Sequence, residues 1–265
     1  MEGAAAGRIW ATVDWRFMQE DKHKTVDFGF KDIPEEKKTE QVKAVFDSVA
    51  KNYDVLNDVL SFGMHRLWKR YTIAKAGVRA GMEVLDIASG TGDLSLSFAK
   101  KVGASGRVYA TDINASMLAI AKRRFEGRNL PITALLCDAE ALPFPEGSFD
   151  LVSVSFGLRN MTHKDRALKE MLRVLKPGGK LLVLEFSKVH PALAPFYDFY
   201  SLRLMPLIGK ALSGDEESYR YLPESIRRHP NQEKLAQIMT GVGFSSVTWH
   251  NLTFGVCALH IGSKQ

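Results

Sequence analysis

The chain is poor in cysteine and has no long apolar run, and both shortages exclude classes of protein. Its 265 residues include two cysteines, Cys137 and Cys257, which are far apart in the sequence. Two thiols cannot supply a four-cysteine zinc site or a disulfide scaffold, and they favour a reducing compartment. No stretch reaches the ~20 apolar residues that a membrane-spanning helix needs. The first residues carry Glu2 and Asp14 and lack an apolar core, so they do not resemble a secretory signal.

The composition is that of a globular protein with a surplus of positive charge. Hydrophobic residues make up 45% of the chain and charged residues 25%, which is enough apolar material to bury a core. The net charge of +6 would attract anionic partners such as nucleic acid, lipid head groups or an acidic ligand. Lysine and arginine are spread along the chain, however, and an ordinary solvated surface explains the same charge. The charge alone therefore identifies no partner.

Three segments with different patterns predict the domain organisation. Residues 1–26 join no periodic pattern and are expected to be a disordered or non-native leader, with Met18 as an alternative start. Residues 27–80 are expected to form an N-terminal helical lid, because apolar residues recur there at three- and four-residue spacing. Residues 81–265 are expected to form the core, with a substrate cap inserted at 190–230.

Strands alternate with helices through the core segment, and this alternation predicts the fold. Strands are predicted at residues 84–88, 107–112, 132–137, 149–156 and 180–186. Helices between successive strands indicate parallel βαβ units with right-handed crossovers. Two further strands, 246–253 and 255–261, are predicted to be joined by a tight turn and hence antiparallel. The expected fold is α/β and Rossmann-like, with a mostly parallel seven-stranded sheet and an antiparallel C-terminal strand.

A glycine turn follows the first predicted strand of the core and indicates a ligand site. Gly90-Thr91-Gly92 allows a sharp bend and a close approach of the backbone to a ligand. A dinucleotide-binding fingerprint has a third glycine three positions later, where this chain has Ser95. Asp86 and Asp93 place negative charge beside the turn, which suits a cationic ligand better than a pyrophosphate. S-adenosylmethionine carries a sulfonium and an ammonium group and no phosphate.

Polar residues at the ends of the next strands complete the predicted cofactor site. Asp112 ends the second strand, where a carboxylate can accept hydrogen bonds from both ribose hydroxyls. Asp138 and Ala139 follow the third strand, where they can meet the edge of an adenine ring. Ser155 ends the fourth strand, beside the expected position of the transferred methyl group. These residues and the glycine turn predict an S-adenosylmethionine-dependent methyltransferase with no metal ion.

Several sequence blocks point to one methyltransferase family: residues 49–58, 61–70, 155–160, 173–179, 184–188, 215–226 and 251–256. The most specific of them are Phe156-Gly157-Leu158-Arg159-Asn160 and the run from Tyr219 to Ser225. These blocks resemble the ubiquinone/menaquinone biosynthesis C-methyltransferases of the UbiE type. The resemblance extends from about residue 27 to the C-terminus. It implies cofactor contacts at Thr91, Asp112, Asp138, Ala139 and Ser155. The chain departs from the family at Ser89, which is still small enough for the turn.

The resemblance also implies the reaction, which is methylation of a ring carbon on a polyprenylated quinol. The acceptor is expected to be demethylmenaquinol, 2-polyprenyl-6-methoxy-1,4-benzoquinol, or both. An electron-rich carbon is needed to attack a sulfonium methyl group, so the reduced ring rather than the quinone is the nucleophile. Arg159 and Asn160 are expected to face the ring, although Arg159 could equally anchor its loop to a helix carboxylate. Tyr53 and His65 are expected to act from the lid, with His65 or a water as the proton acceptor.

The resemblance leaves partners and location as expectations. A polyprenylated substrate implies peripheral contact with a membrane surface or with other quinone-biosynthesis proteins. The apolar segment from Phe196 to Ile208 could form a wall for the prenyl tail, and it could equally be core packing beneath the cap. A homodimer is possible, and no nucleic-acid partner is expected. The expected location is cytoplasmic and peripherally membrane-associated in a bacterium, or the matrix side of a mitochondrion.

Four other functions compete with this interpretation. A nucleic-acid methyltransferase would have an Asn-Pro-Pro-Tyr type of sequence after the fourth strand, where this chain has Ser155-Phe156-Gly157. A methyltransferase of another small molecule, or a non-catalytic subunit that binds S-adenosylmethionine, would keep the same cofactor residues. A dehydrogenase is disfavoured because Ser95 replaces the third glycine.

Overall fold

A seven-stranded sheet with helices on both faces forms the centre of the protein. The computed structural model describes residues 24–50, 53–213 and 216–265. The strands are β3 (Glu83–Ile87), β4 (Arg107–Asp112), β5 (Ile132–Leu136), β6 (Phe149–Ser155), β7 (Leu175–Phe186), β8 (Ser245–Leu252) and β9 (Cys257–Ser263). Their spatial order is β5-β4-β3-β6-β7-β9-β8. Neighbouring strands from β5 to β7 are parallel, and β9 is antiparallel to both β7 and β8. This topology confirms the predicted fold class.

The central strands are apolar on both sides because each face of the sheet is covered. The helices around the sheet are α3 (Met64–Ala76), α4 (Asp93–Val102), α5 (Ala115–Phe125), α6 (Lys164–Val174) and α10 (Gln232–Val242). Leu181 and Val183 of β7 pack in one core cluster with residues of α6 and α10. Leu182 and Leu184, the alternate residues, pack in a second cluster with residues of α3 and α4. Alternation along a strand thus supplies two cores from one apolar run.

The N-terminal part of the described chain combines a short hairpin with helices. Strands β1 (Thr25–Phe28) and β2 (Lys31–Pro34) pair as an antiparallel hairpin, followed by α1 (Glu35–Val49) and α2 (Tyr53–Ser61). The sequence analysis predicted only helices here and missed the hairpin. Its predicted leader, residues 1–26, lies outside the described residues up to residue 23, and β1 begins two residues later.

The segment after β7 is helical and covers the same edge of the sheet as the lid. It contains α7 (Ala194–Phe199), a π-helical turn at Tyr200–Leu204, α8 (Met205–Ser213) and α9 (Glu216–Arg228). Leu56 and Leu60 of α2 pack with Met205 of α8 and Tyr219 of α9 in a third apolar cluster. The lid and the cap therefore share one core. In the part of the chain that the structure describes, no helix is long and apolar enough to cross a membrane.

Two local predictions need correction. The predicted strand 180–186 begins earlier, because α6 ends at Val174 and β7 starts directly at Leu175 and includes Pro177-Gly178-Gly179. The last two strands are joined by a short 3-10 turn at Thr253–Gly255, where Thr253 and Phe254 both have positive φ. This connection is longer than the tight turn that the sequence predicts between strands 246–253 and 255–261.

Candidate functional site

The site lies at the carboxyl ends of β3 and β6, where the order of the parallel strands reverses. Open α/β sheets bind ligands in the crevice at such a point. Ala88 is the first residue after β3, and Phe156 is the first residue after β6. Their φ values are 50° and 57°, and positive φ is uncommon outside glycine. A Cβ on Gly157 would lie 2.5 Å from the Cβ of Ala88. The two strand ends therefore require glycine at position 157 and hold strained backbone beside the crevice.

Backbone hydrogen bonds fix the glycine turn that follows β3. The Gly90 N–H donates to the Asp112 carboxylate at 2.8 Å, and the Ser89 N–H donates to the Thr111 carbonyl at 2.9 Å. Gly92 has φ 84°, and a Cβ there would lie 2.5 Å from the Phe125 ring. The turn is thus anchored to β4 and packed against α5, which leaves no room for a side chain at position 92.

Two adjoining cavities open at this edge. The large cavity, of about 280 Å³, lies between the lid, the cap and the ends of β3 and β6. The small cavity, of about 100 Å³, lies beside the ends of β4 and β5 under helix α1. Residues shared by both linings form a common wall: Phe46, Tyr53, Ala88, Gly90, Ser155 and Phe156. The two cavities are therefore neighbours, separated by this common wall.

The structure brings ten of the eleven predicted site residues to these cavities. The large cavity is lined by Tyr53, His65, Gly90, Thr91, Ser155 and Arg159. The small cavity is lined by Tyr53, Gly90, Asp112, Asp138, Ala139, Ser155 and Asn160. Gly92 lines neither cavity, because it is packed against the ring of Phe125. The placement of Gly92 gives it a part in shaping the turn.

Acceptor and hydroxyl groups face the small cavity and the common wall. Asp112 is buried and accepts from the N–H groups of Gly90 and Asn114, both at 2.8 Å, while burial raises the pKa of its carboxyl. Asp138 accepts from the Glu140 N–H at 2.8 Å and keeps oxygen lone pairs free for a ligand. The Ser89 and Ser155 hydroxyls are buried and have no hydrogen-bond partner within the described chain. Such groups suit a ligand with hydroxyl, amino and carboxylate functions.

The sequence predicts that Asp86 and Asp93 place negative charge beside the glycine turn. In the structure, other side chains already bind both carboxylates. Asp86 is buried and accepts from Ser95 and Ser153, each at 2.6 Å, and burial raises its pKa to about 6. Burial also acts to raise the pKa of Asp93, but Lys69 and Arg124 outweigh it and hold that pKa at about 2. Asp93 is therefore ionised, with its charge balanced by two cations within 2.8 Å. Neither carboxylate is a free countercharge for a ligand.

Arg124 connects the turn to the lid, and the sequence analysis did not identify it. Its guanidinium donates to the Thr91 carbonyl at 2.9 Å, to Asp93 at 2.6 Å and to Asp54 of α2 at 3.2 Å. The Thr91 hydroxyl also donates to Asp54, at 2.9 Å. Arg124 follows two other basic residues at the end of α5, and no sequence signal distinguishes it from a surface arginine. The contact depends on how α2 folds over the turn.

Arg159 and Asn160 occupy a short 3-10 turn after β6 and are both held by neighbours. The Arg159 guanidinium donates to Glu185 of β7 at 2.9 Å and to the Phe156 carbonyl, and it lies over the Phe186 ring. The sequence left open whether Arg159 faces the cavity or anchors its loop to a helix. It lines the large cavity, and its anchoring carboxylate is on a strand. Asn160 accepts from the Tyr221 hydroxyl at 3.0 Å.

Comparison with known proteins gives one family. Residues 32–264 match the model of the ubiE/COQ5 methyltransferase family. The chain is 59% identical, over 91% of its length and 99% of the relative's, to a Chromobacterium violaceum protein named ubiquinone/menaquinone biosynthesis C-methyltransferase UbiE. An S-adenosylmethionine-dependent methyltransferase from Aquifex aeolicus superposes with a TM-score of 0.55 and 19% identity, over 73% of this chain and 88% of that one.

A third match concerns the cofactor. Phosphoethanolamine N-methyltransferase 2 of Haemonchus contortus, solved in complex with S-adenosyl-L-methionine, superposes with a TM-score of 0.57. Its identity is 18%, and the match covers 74% of this chain and 52% of that protein. At this identity both structural likenesses show the fold. They confirm the predicted class of fold, an S-adenosylmethionine-dependent methyltransferase sheet.

The buried carboxyl of Asp86 predicts a pH-dependent stability. Its pKa is about 6 in the folded protein against an ordinary 3.8, so the folded state binds the proton more tightly. The stabilisation is complete below pH ~4 and is lost as the pH rises through ~6. We expect the free energy of unfolding of the native chain, relative to Asp86→Asn, to fall by roughly 1–3 kcal/mol from pH 4 to pH 7.

Urea unfolding of both proteins at a series of pH values measures this difference, and other titrating groups cancel in the subtraction. Asp165→Asn, which removes an exposed carboxylate of α6, is the control and should give a nearly constant difference. Parallel stability curves for the native chain and Asp86→Asn would show that Asp86 titrates normally.

Proposed function

The chain belongs to the ubiE/COQ5 methyltransferase family, and from that premise we infer that it methylates a ring carbon of a polyprenylated quinol in respiratory quinone biosynthesis. The acceptors in the proposal are demethylmenaquinol, 2-polyprenyl-6-methoxy-1,4-benzoquinol, or both. One observation carries the proposal: a largely apolar cavity shares a wall with a smaller cavity edged by Asp112 and Asp138. This arrangement provides for an apolar acceptor and a polar methyl donor in contact across that wall.

The residues around the small cavity fit S-adenosylmethionine. Asp112 and Asp138 stand at neighbouring strand ends, where they would accept from the ribose hydroxyls and from the adenine amino group. Ser89 and Ser155 offer hydroxyls that have no partner in the described chain. When bound, S-adenosylmethionine supplies an electrophilic methyl group on a sulfonium. Thr91 and the Gly90 backbone would hold its amino-acid portion.

The large cavity suits a quinol ring with an apolar tail. Lid and cap side chains such as Leu56, Leu60 and Met205 form much of its wall, and their burial favours an apolar occupant. Arg159 would stabilise negative charge on the ring oxygen through its Nε, which is buried and has no partner in the described chain. Tyr53, which lines both cavities, would orient the ring, and Asn160 would act from the lining of the small cavity. The reduced ring is the acceptor, because only an electron-rich carbon can displace a sulfonium methyl group.

We further propose that the cap meets a membrane surface at the opening of the large cavity. Phe62, which lines the cavity, is 78% exposed, and Phe196 and Phe199 of α7 are 76% and 62% exposed. Exposed apolar residues in such a group mark an interaction surface, and the exposed Arg203 beside them favours anionic lipid. The site of action in the proposal is the cytoplasmic membrane face of a bacterium, or the matrix face of a mitochondrion.

The proposed activity is tested with the purified protein, S-adenosylmethionine and a short-chain demethylmenaquinol or methoxy-benzoquinol kept reduced in detergent. Mass spectrometry should show a product heavier by one methyl group, formed from the quinol and not from the quinone. A strain that lacks the gene should accumulate quinones short by one methyl group. An unchanged quinone profile, together with no product in vitro, would refute the quinol substrate.

The cofactor site is tested by calorimetric titration with S-adenosylhomocysteine. Asp138→Ala removes a charged acceptor without touching the buried turn, so affinity should fall by roughly 10- to 100-fold, as expected for a lost hydrogen bond to a charged group. Asp165→Asn on α6 is the control and should bind like the native chain. Equal affinity of Asp138→Ala and the control would remove Asp138 from the cofactor site.

The membrane surface is tested by sedimentation with vesicles that contain phosphatidylglycerol. Replacing Phe196 and Phe199 with serine should lower the fraction bound by about tenfold or more, since each phenyl ring contributes roughly 1.5–3 kcal/mol when buried. Phe30→Ser removes another exposed phenyl ring, on the β1–β2 hairpin, and should bind vesicles normally. Unchanged binding of the double variant would place any membrane contact elsewhere.

A further inference from the structure

His65 and Asp58 form a hydrogen-bonded pair at the wall of the large cavity. His65 lies on α3 and is 7% exposed, and its Nε2 is 2.8 Å from Oδ1 of Asp58 on α2. The two helices are joined by Phe62 and Gly63, both with positive φ, which turns them toward each other. The pair is therefore created by a sharp bend in the lid and not by spacing along one helix.

Arg66 fixes the position of the Asp58 carboxylate and favours its ionised form. The Arg66 Nε donates to Oδ1 at 2.6 Å, and its Nη2 donates to Oδ2 at 2.5 Å. The hydrogen bonds from Arg66 and His65 keep the pKa of Asp58 well below its usual range, so the carboxylate is ionised at any physiological pH. An ionised carboxylate can only accept. The proton of a neutral His65 must therefore reside on Nε2, which leaves Nδ1 as a bare acceptor.

The Nδ1 atom of His65 is buried and has no hydrogen-bond partner in the described chain. Burial lowers the pKa of His65, and the nearby Lys69 lowers it further, against the opposing effects of Asp58 and Asp93. The ring is thus neutral at pH 7. His65 is also a lining residue of the large cavity. A neutral imidazole that lines a substrate cavity and has an unpartnered nitrogen has the properties of a general base.

We propose that Nδ1 of His65 accepts the hydroxyl proton of the quinol, and that Asp58 is a positioning residue that fixes the reactive tautomer. This inference rests on the function proposed above. It assigns the proton acceptor that the sequence left open between His65 and a water.

The proton and electron balance of the step is complete without another reactant. The quinol O–H bond breaks, its electron pair stays on oxygen, and the proton moves to Nδ1. As electrons flow from that oxygen, the ring carbon forms its bond to the methyl group while the sulfur–methyl bond breaks and sulfur keeps the pair. The ring then loses its C–H proton to water. His65 returns its proton to the ring oxygen, so one proton is released in total.

Arg159 cannot perform this task, and its position gives it a complementary one. A guanidinium stays protonated at all relevant pH values, and that of Arg159 is paired with Glu185. It can stabilise a phenolate but cannot create one by accepting a proton. His65 and Arg159 both line the large cavity, so removal of the proton and stabilisation of the resulting charge are assigned to separate side chains.

The first test reads the tautomer without substrate or cofactor. The ¹⁵N spectra of histidine-labelled protein, assigned by comparison with His65→Gln, should show Nε2 protonated and Nδ1 unprotonated at pH 7. In Asp58→Asn the side-chain amide can donate to Nε2, so the Nδ1-protonated tautomer should appear. If Nδ1 carries the proton in the native chain, or if the Asp58→Asn spectrum is unchanged, the proposed dyad is wrong.

The second test uses turnover of the reduced quinol. His65→Gln should lower kcat by about 10²- to 10⁴-fold, the range for loss of a general base, and Asp58→Asn by roughly tenfold or more. S-adenosylhomocysteine affinity and quinol KM should change little in both. Asp165→Asn, an exposed carboxylate outside the site, should match the native chain.

The pH profile separates a catalytic role from a structural one. For the native chain, kcat/KM should rise with pH along an acid limb set by His65 and reach a plateau by about pH 7. Asp58 acts to raise the pKa of His65, so Asp58→Asn should move this limb to lower pH while lowering the plateau. A purely structural defect would lower the curve without moving the limb.

The outcomes distinguish this inference from the function beneath it. If the native chain methylates no quinol, the proposed function fails, and the base assignment fails with it. If the native chain is active and His65→Gln keeps its kcat and acid limb, the function stands and only the dyad is refuted. If Asp58→Asn lowers kcat and moves the acid limb of the pH profile to lower pH, the result supports both the proposed function and the dyad.

Discussion

The close approach of the β3 and β6 strand ends is the constraint on which the rest of the site depends. Both strands are buried on two faces, so packing fixes the distance between them. Gly157 lies against Ala88 with no room for a Cβ. The backbone leaves each strand with a positive φ, at Ala88 and Phe156. Ser155 and Gly90 both line the space beside these strand ends. The common wall of the two cavities is a consequence of packing within the sheet.

Ion pairs and hydrogen bonds join the lid to the glycine turn and the start of α4. The apolar face of the lid packs against the cap. Arg124 and the Thr91 hydroxyl bind Asp54 on α2, while Lys69 on α3 binds Asp93 at the start of α4. These ion pairs are partly buried, so they are less screened than surface pairs and each costs some desolvation. They connect the lid to the glycine turn, so the shape of the large cavity depends on the conformation of that turn.

The sequence predicts structural elements where the residue pattern is local. It does not predict contacts that depend on strand register or on a bend between elements. The core strands are apolar runs between turn signals, and their bounds lie within two residues of the predicted ones, except that β7 begins five residues earlier. The β1–β2 hairpin is short and polar, and its support comes from α9, through the stack of Phe28 on Tyr221. Glu185 meets Arg159 because β7 pairs with β6 in one particular register. No spacing in the sequence reports these long-range contacts.

Unsatisfied polar atoms on side chains at the wall of the large cavity support its proposed role as a binding site. Five side chains that line the large cavity each have a buried polar atom with no hydrogen-bond partner in the described chain: His65, Ser89, Ser155, Arg159 and Tyr197. Each such atom costs the folded protein about 1–3 kcal/mol, a cost that a bound partner can recover. The neighbouring charges, by contrast, are paired. The fold therefore pairs the charged groups around the glycine turn and leaves polar atoms on these five lining side chains available to a bound partner.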